Sequence, residues 1–544
     1  MQSRSSRLTA SLLVLATVAF AILQLRPVDP GQQAMESGYD PVRALHSLQS
    51  LAREPHPHGS QALSKVREEL LRQIRACAVE PELQVAVNGK RFDGARPTNL
   101  VVHLPGWDST GSVLLMAHYD TVEESPGAAD DGSGVVALLE TLRVLVDQPR
   151  RNDLILLFTD AEERGMFGAQ FFVEDHELFA DVDLVLNFEA IGNSGPLMMF
   201  ETGPGSGGLV DLWRATVPQP NGNSLAAVIY GWMPNNTDMS LFLDAGKRGL
   251  NFALSGSSGF YHSPQDLPEH LPAGSLAQMG DTAIRMAQRL GQVDLRQLDR
   301  EPRAFHNIGP MGLLIWQGRG HLWACAGCLG LALVIAPRKG LLGRRDLNPR
   351  ELFGGFVGVL SVIFCAGTLA TGLAWASYRL SGSIYPLTYD GVNLLLIPML
   401  AGGFLGTIVV SHFWTRGAFG YERGRQLLFS GLGLWLALSL VFARIDLDQV
   451  GAGFPFAVTT TGLGIAICLR LSGRTNPIWV ALCLLPGMFV MAPLLCQLVQ
   501  LSSKVVDGSI LLGGVLVAIG APLLLPLTVA LVHPEDQGAF EPEA

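Results

Sequence analysis

From about residue 320 onward the chain is a succession of long apolar runs parted by short loops, and no other feature limits its fold as much. The runs lie near 320–336, 352–377, 392–414, 427–443, 452–469, 477–500 and 509–532. Their interiors hold almost no ionisable residues, so each reads as a helix able to cross a bilayer, where backbone polar groups must be satisfied within the segment. An eighth run stands first, "LTASLLVLATVAFAILQL" from Leu8 to Leu25, behind Arg4 and Arg7. It continues past Ala19-Phe-Ala21, which imitates a signal-peptide cleavage site, and so reads as a signal anchor over residues 1–26. Positive charge falls in alternate loops: Arg338, Lys339, Arg344, Arg345 and Arg350, then Arg416, Arg423 and Arg425, then Arg470 and Arg474. That pattern sets both termini in the cytoplasm, including an acidic tail at 533–544, and puts the segment between the first two spans outside.

Composition agrees with a membrane protein. Of 544 residues 48% are hydrophobic and only 16% charged, and mean hydropathy is +0.30. A net charge of -10 offers no basic stripe, which excludes a nucleic-acid partner. The lack of charge inside the spans argues against a transporter. Arginine carries nearly all the positive charge, with lysine only at 65, 90, 247, 339 and 504. We read this as a high-GC bacterial bias, pointing to a bacterial inner membrane. Cys77 alone lies outside the apolar segments, so the polar part has no internal disulfide. Cys325 and Cys328 have C-x-x-C spacing, but inside an apolar run without a second pair they read as packing.

Residues 36–305 read as one α/β domain on the extracytoplasmic side, periplasmic or extracellular in a bacterium and lumenal in a eukaryote. Strand-like runs occur at Asn99–Leu104, Val113–Ala117, Leu154–Thr159, Leu184–Phe188, Ala226–Tyr230 and Asn251–Leu254. Helical patterns separate them, as where Val135, Leu138, Leu139 and Leu142 repeat at helix spacing. Alternation of this kind predicts a central, mostly parallel sheet covered on both faces, with ligands at the carboxyl ends of its strands.

Acids and histidines recur at those ends. One run stops in His118-Tyr-Asp120 and turns through "GAADDGSG", with Asp130 and Asp131, into a helix. "LILLFTD" leads to Glu162 and Glu163, "LVLNF" to Glu189, and a distant "YHSPQD" carries His262. Nitrogen and oxygen ligands without sulfur suit zinc, and less strongly manganese or cobalt. The three carboxylates of Asp130, Glu163 and Glu189 nearly balance two divalent ions, and such a pair supplies a nucleophile at neutral pH. A base is then needed for the proton. Of the adjacent Glu162 and Glu163, diverging from extended backbone, one can bind metal while the other faces the water. Taken singly, each element has a plain structural reading, for "DDGSG" is a good helix start and "EE" an ordinary polar face. Their recurrence after four apolar runs makes a metal site the better reading.

These stretches, with "PHPHGS", "TNLVVHLPG" and "PNNTD", closely resemble the M28 family of zinc aminopeptidases over most of residues 55–290. The likeness is strongest to its membrane-bound branch, which includes the endoplasmic reticulum metallopeptidase and the yeast vacuolar membrane protease. It implies a zinc-exopeptidase-like three-layer sandwich with a mixed, mostly parallel sheet, followed by an all-α polytopic membrane domain of about seven helices over 320–532. It implies two Zn2+ ions, one held by His118, Asp130 and Glu189 and the other by Asp130, Glu163 and His262. Asp120 would orient His118, and Glu162 would be the catalytic base acting on a peptide substrate. Many soluble relatives have aspartate where this chain has Glu189. Asp131 reads as a helix cap, Asp160 and Asp266 as structural, and His56 and His58 as parts of a family-typical loop. Asp238 matches the family without an assigned role, and Asn235-Asn-Thr237 fits a glycosylation acceptor. A glutaminyl-cyclase-like single-zinc enzyme is the rival within the fold, and retention of both His118 and Glu189 argues against it. An inactive scaffold would have lost ligands or base, and none is missing.

Overall fold

The computed structural model describes residues 36–231, 235–307, 312–317, 349–381, 395–416, 420–445, 454–471, 478–488 and 521–532, besides a few separate positions. All but one of the predicted strands in the polar half form. The elements run α1 (Pro41–Leu51), α2 (Gln61–Arg75), β1 (Glu82–Val85), β2 (Thr98–Leu104), β3 (Ser112–His118), α3 (Gly132–Leu145), β4 (Asp153–Thr159), α4 (Phe167–Asp175), β5 (Val182–Ala190), β6 (Met198–Thr202), α5 (Gly207–Thr216), α6 (Ser224–Tyr230), α7 (Asp238–Asp244), β7 (Arg248–Leu254) and α8 (Ala273–Leu290).

One sheet holds β1 to β7 in the order β1-β2-β4-β3-β5-β7-β6. The four central strands, β4, β3, β5 and β7, are parallel, and the outer pairings are antiparallel. The sheet is thus mixed with a parallel centre. Burial explains why these runs are strands. Every residue of β3 and β7 is buried, the mark of a strand covered on both faces. Val113 and Leu115 pack with α1, α3 and α8 on one side. Leu114 and Met116 pack with Phe172 of α4 and Phe242 of α7 on the other. Chain order reverses beside β3, which makes the carboxyl ends of β4, β3 and β5 the place where such sheets bind ligands.

The exception is Ala226–Tyr230, expected as a strand and found within the helix α6. Asn223 caps it by accepting the Leu225 N–H at 2.9 Å, and Leu225 and Val228 bury one face at helical spacing. A short apolar run does not distinguish the two structures by itself. The strands β1 and β6 were not expected. Both lie at edges of the sheet, where a short strand needs only one partner.

Helices follow the α/β domain after a small hairpin of β8 (Arg303–Asn307) and β9 (Leu313–Gln317): α9 (Pro349–Ser381), α10 (Leu396–Trp414), α11 (Gly420–Ile445), α12 (Phe454–Leu471) and α13 (Leu525–Val532). Among the described residues two helices are long and apolar enough to cross a membrane, Phe353–Ser381 and Ile397–Trp414. Three of the other expected spans coincide with shorter apolar helices, Gln426–Val441, Val458–Ile467 and Ile478–Met488. Those expected at 320–336 and 8–25 lie wholly or largely outside the described residues, and of the one expected at 509–532 the described part ends in the short helix α13. Where α9 meets α10, a Cβ at Gly406 would come within 2.6 Å of the Ala366 backbone. Only glycine permits that approach, as in small-residue helix packing within membranes.

Candidate metal centre

The carboxyl ends of four parallel strands meet at one point. His118 is the last residue of β3, and Glu189 lies one residue before the end of β5. Glu162 and Glu163 follow β4, and His262 follows β7. Asp130 arrives on the loop before α3. Its peptide bond to Asp131 is cis.

The five residues expected to hold metal are brought together in two overlapping sets, His118–Asp130–Glu189 and Asp130–Glu163–His262, with ligand atoms in each within 4.8 Å of one another. Asp130 is common to both. Its Oδ1 lies 3.2 Å from His118 Nε2 and its Oδ2 3.1 Å from His262 Nε2. Glu163 Oε1 lies 3.0 Å from His262 Nε2, and Glu189 Oε2 3.7 Å from His118 Nε2. Glu162 offers an oxygen within 4.8 Å of ligand atoms on His118 and Glu163. The fit to a cation can be tested on the donors themselves. Asp130 Oδ2, Glu163 Oε1 and His262 Nε2 are buried and none makes a hydrogen bond. Buried polar atoms are normally satisfied, and three left over at one point, all nitrogen or oxygen, fit divalent ions of the zinc type.

Electrostatics point the same way. Burial, reinforced by the charges of Asp130 and Asp238, pushes the Glu189 carboxyl up to about 8. Burial also raises Glu162 well above the carboxylate range, with Glu189, Asp238 and Glu163 adding to it. Burial opposes protonation of His262, yet the carboxylates of Asp130 and Glu163 close beside it outweigh that and bring the imidazole to about 9. The carboxylates crowd one another and lean on the histidines for countercharge, a deficit that cations would fill.

The supports are as specific as the ligands. The sequence predicts that the Asp120 carboxylate stands behind His118; in the structure the Asp120 carbonyl oxygen is the nearer group, 3.0 Å from His118 Nδ1, with the carboxylate 3.6 Å away. The carboxylate is occupied elsewhere. It accepts the N–H of Glu162 at 3.0 Å and of Glu163 at 3.3 Å. The two glutamates sit on a turn, entered through a left-handed Ala161 (φ 61°), where the sequence predicts extended backbone. Asp131 caps α3, accepting from Gly134 N at 3.1 Å and from His118 N at 3.3 Å. Asp266 holds the Asp130 loop by accepting from Ala129 N at 2.9 Å and Asp130 N at 3.2 Å.

The remaining histidines of the loop lie outside both sets. His56 Nδ1 is 2.8 Å from the Glu54 carbonyl oxygen, and His58 Nδ1 is 2.7 Å from Asp160 Oδ1. Asp160 also accepts from Thr98 N at 2.9 Å, consistent with a structural part. Asp238 begins α7 beneath the site and accepts a hydrogen bond from the Thr159 hydroxyl. Sequence reasoning missed Asn187, buried on β5 two residues before Glu189, whose amide donates to Glu189 Oε1 at 3.3 Å. An asparagine inside an apolar strand was the available signal.

Residues 99–287 match the model of peptidase family M28, so the chain carries an M28 peptidase domain. The putative endoplasmic reticulum metallopeptidase 1-A of Caenorhabditis elegans is 30% identical over 200 residues, covering 36% of this chain and 22% of that protein. The vacuolar membrane protease of Candida albicans strain WO-1 is 33% identical over 262 residues, covering 45% and 30%. The endoplasmic reticulum metallopeptidase 1 of Rattus norvegicus is 26% identical over 336 residues, covering 56% and 37%. The chain therefore spans well under half the length of these curated relatives. Their hosts are eukaryotic, and they lend no support to a bacterial inner membrane. Among solved structures, an aminopeptidase from Aneurinibacillus sp. strain AM-1 aligns at 15% identity and a TM-score of 0.40, over 48% of this chain and 96% of that one.

Proposed function

We propose that this M28 peptidase-domain chain is a membrane-anchored metallopeptidase that hydrolyses peptide bonds near the N-terminus of peptides, using two zinc ions. One observation carries the reading: five ligand-competent side chains from four strand ends converge with three buried donors that make no hydrogen bond. His118, Asp130 and Glu189 would hold one ion, and Asp130, Glu163 and His262 the other. When bound, the pair would lower the pKa of a water and polarise the scissile carbonyl.

The chain's own residues do the rest. Glu162, within 4.8 Å of ligand atoms on both sides, takes the water's proton and returns it to the leaving amine. Asp120 fixes where Glu162 and Glu163 stand by binding both their N–H groups. Asp266 and Asp131 fix the loop that presents Asp130. The helices after residue 349, with the apolar runs around them, anchor the chain as a polytopic membrane domain, and the positive loops leave the peptidase domain extracytoplasmic.

The test is one detergent-purified preparation with two readouts, bound metal per chain and release of N-terminal residues from a peptide panel. Two zinc ions per chain are expected, with cleavage of free-amine peptides and none of their N-acetylated forms. A wild-type chain that is both metal-free and inactive would sink the reading. Equal cleavage of acetylated peptides would overturn its N-terminal part alone.

A further inference from the structure

A row of buried polar side chains crosses the sheet just beneath the candidate metal centre. Asn187 of β5 is the register partner of Asn251 of β7, which in turn is the register partner of Glu201 on the edge strand β6. Both asparagines are wholly buried. Asn187 Nδ2 donates to Glu189 Oε1 at 3.3 Å and to Asn251 Oδ1 at 3.1 Å. Asn251 Nδ2 donates to Glu201 Oε2 and to Thr237 Oγ1, each at 2.9 Å. All four amide N–H bonds are thereby spent.

The direction of this ladder follows from its far end. An ionised carboxylate only accepts, so Glu201 turns the Asn251 amide to present its nitrogen. That leaves Asn251 Oδ1 facing Asn187, which turns the second amide the same way and aims an N–H at Glu189. The ladder is not there for packing. Asn187 Oδ1 is buried without a partner, a cost that leucine in the same strand would not bear.

We propose that Asn187, aligned by Asn251 and Glu201, is a positioning residue that occupies Glu189 Oε1 and leaves Oε2 to face His118 and the first metal. A glutamate arm has one more rotatable bond than an aspartate arm, and the ladder removes that freedom. The assignment rests on the metal-centre reading above.

The experiment uses the full chain in detergent, stripped of metal and titrated with zinc against a chromophoric chelator. Asn187→Leu and the isosteric Asn187→Asp are compared with the wild type, and each is repeated together with Glu189→Asp. The shorter arm of Glu189→Asp withdraws from the amide, so the double-mutant cycle isolates the contact. Wild type should bind two ions. Each Asn187 variant should weaken one of them by about tenfold to hundredfold and leave the other unchanged. With Glu189→Asp present, the same Asn187 changes should have little further effect. Asn187→Asp keeps the side-chain shape, so it reads the contact even if Asn187→Leu unfolds. Wild-type affinity at both sites in Asn187→Asp overturns the proposal, as does an equal loss with and without Glu189→Asp. A wild type that binds no zinc overturns the metal centre itself, and this assignment falls with it.

Discussion

The carboxylate of Asp120 accepts the backbone N–H of Glu162 at 3.0 Å, and its second oxygen accepts that of Glu163 at 3.3 Å. A residue that reads in sequence as the orienting partner of His118 is thus also the clamp on the glutamate turn. Asparagine in its place cannot accept both bonds, because one oxygen becomes an NH2 facing another N–H. Asp120→Asn is therefore expected to fold, to bind zinc about tenfold to hundredfold more weakly, and to lose kcat. Chelator competition and initial rates check it. Wild-type values in both would leave the clamp without consequence.

Glu162 and Glu163 are neighbours with separate work. Glu163 Oε1 lies 3.0 Å from His262 Nε2, within a proposed ligand set, while Glu162 has an oxygen within 4.8 Å of ligand atoms on His118 and Glu163 and is the proposed base. Glu162→Gln keeps the side-chain size and removes the proton acceptor. It should keep its metal and lose about 10²–10⁴-fold in kcat, the range typical of a general base. Glu163→Gln should instead lose metal. A Glu162→Gln enzyme with wild-type kcat would end the base assignment.

The centre was legible in sequence because polar residues interrupt apolar strands where a sheet presents its carboxyl ends. His118, Glu162, Glu163 and Glu189 stand at or just after such ends, in segments unmistakable by hydrophobicity, whereas His262 follows β7 at a distance, in the polar stretch "YHSPQD". What was not legible depends on partners distant in sequence. The Asp120 carboxylate finds its donors 42 and 43 residues away. Asn187 meets Asn251 across a register of 64 residues, and in sequence it reads only as a flaw in "LVLNF". The run Ala226–Tyr230 misled for a local reason, since the cap at Asn223 decides for helix and apolar content does not. The half after residue 320 reads as a succession of apolar runs, of which two form helices long and apolar enough to cross a membrane among the described residues.

Removal of metal should cost stability in the peptidase domain. Without cations, Asp130, Glu163 and Glu189 share a buried site whose countercharge among the described residues comes from His118 and His262. A ligand at one hundred times its Kd stabilises the folded state by about 2.7 kcal/mol. In a domain of this size each kcal/mol moves the midpoint by about 2–4 °C. Thermal scans of chelated and zinc-loaded protein should differ by several degrees, with the loaded form higher. Coincident midpoints would argue that the convergence holds no ion.

The contact of His58 with Asp160 predicts a pH dependence remote from the metal ligands. The hydrogen bond to Asp160, 2.7 Å from Nδ1, raises the imidazole above its usual 6.5. Burial and Arg164 pull the other way, and Asp120 adds to the rise. A histidine raised in the folded state stabilises fully below its unfolded value, and that stabilisation is lost as pH climbs through the raised one. His58→Asn keeps a donor and removes the charge, so it should be less stable than wild type near pH 6, by about 1 kcal/mol, the excess of a charge-assisted over a neutral hydrogen bond. The gap should narrow steadily toward pH 9 as His58 gives up its proton. Denaturant unfolding of both proteins at matched pH measures it, and a gap that stays constant from pH 6 to 9 would mean His58 is neutral throughout.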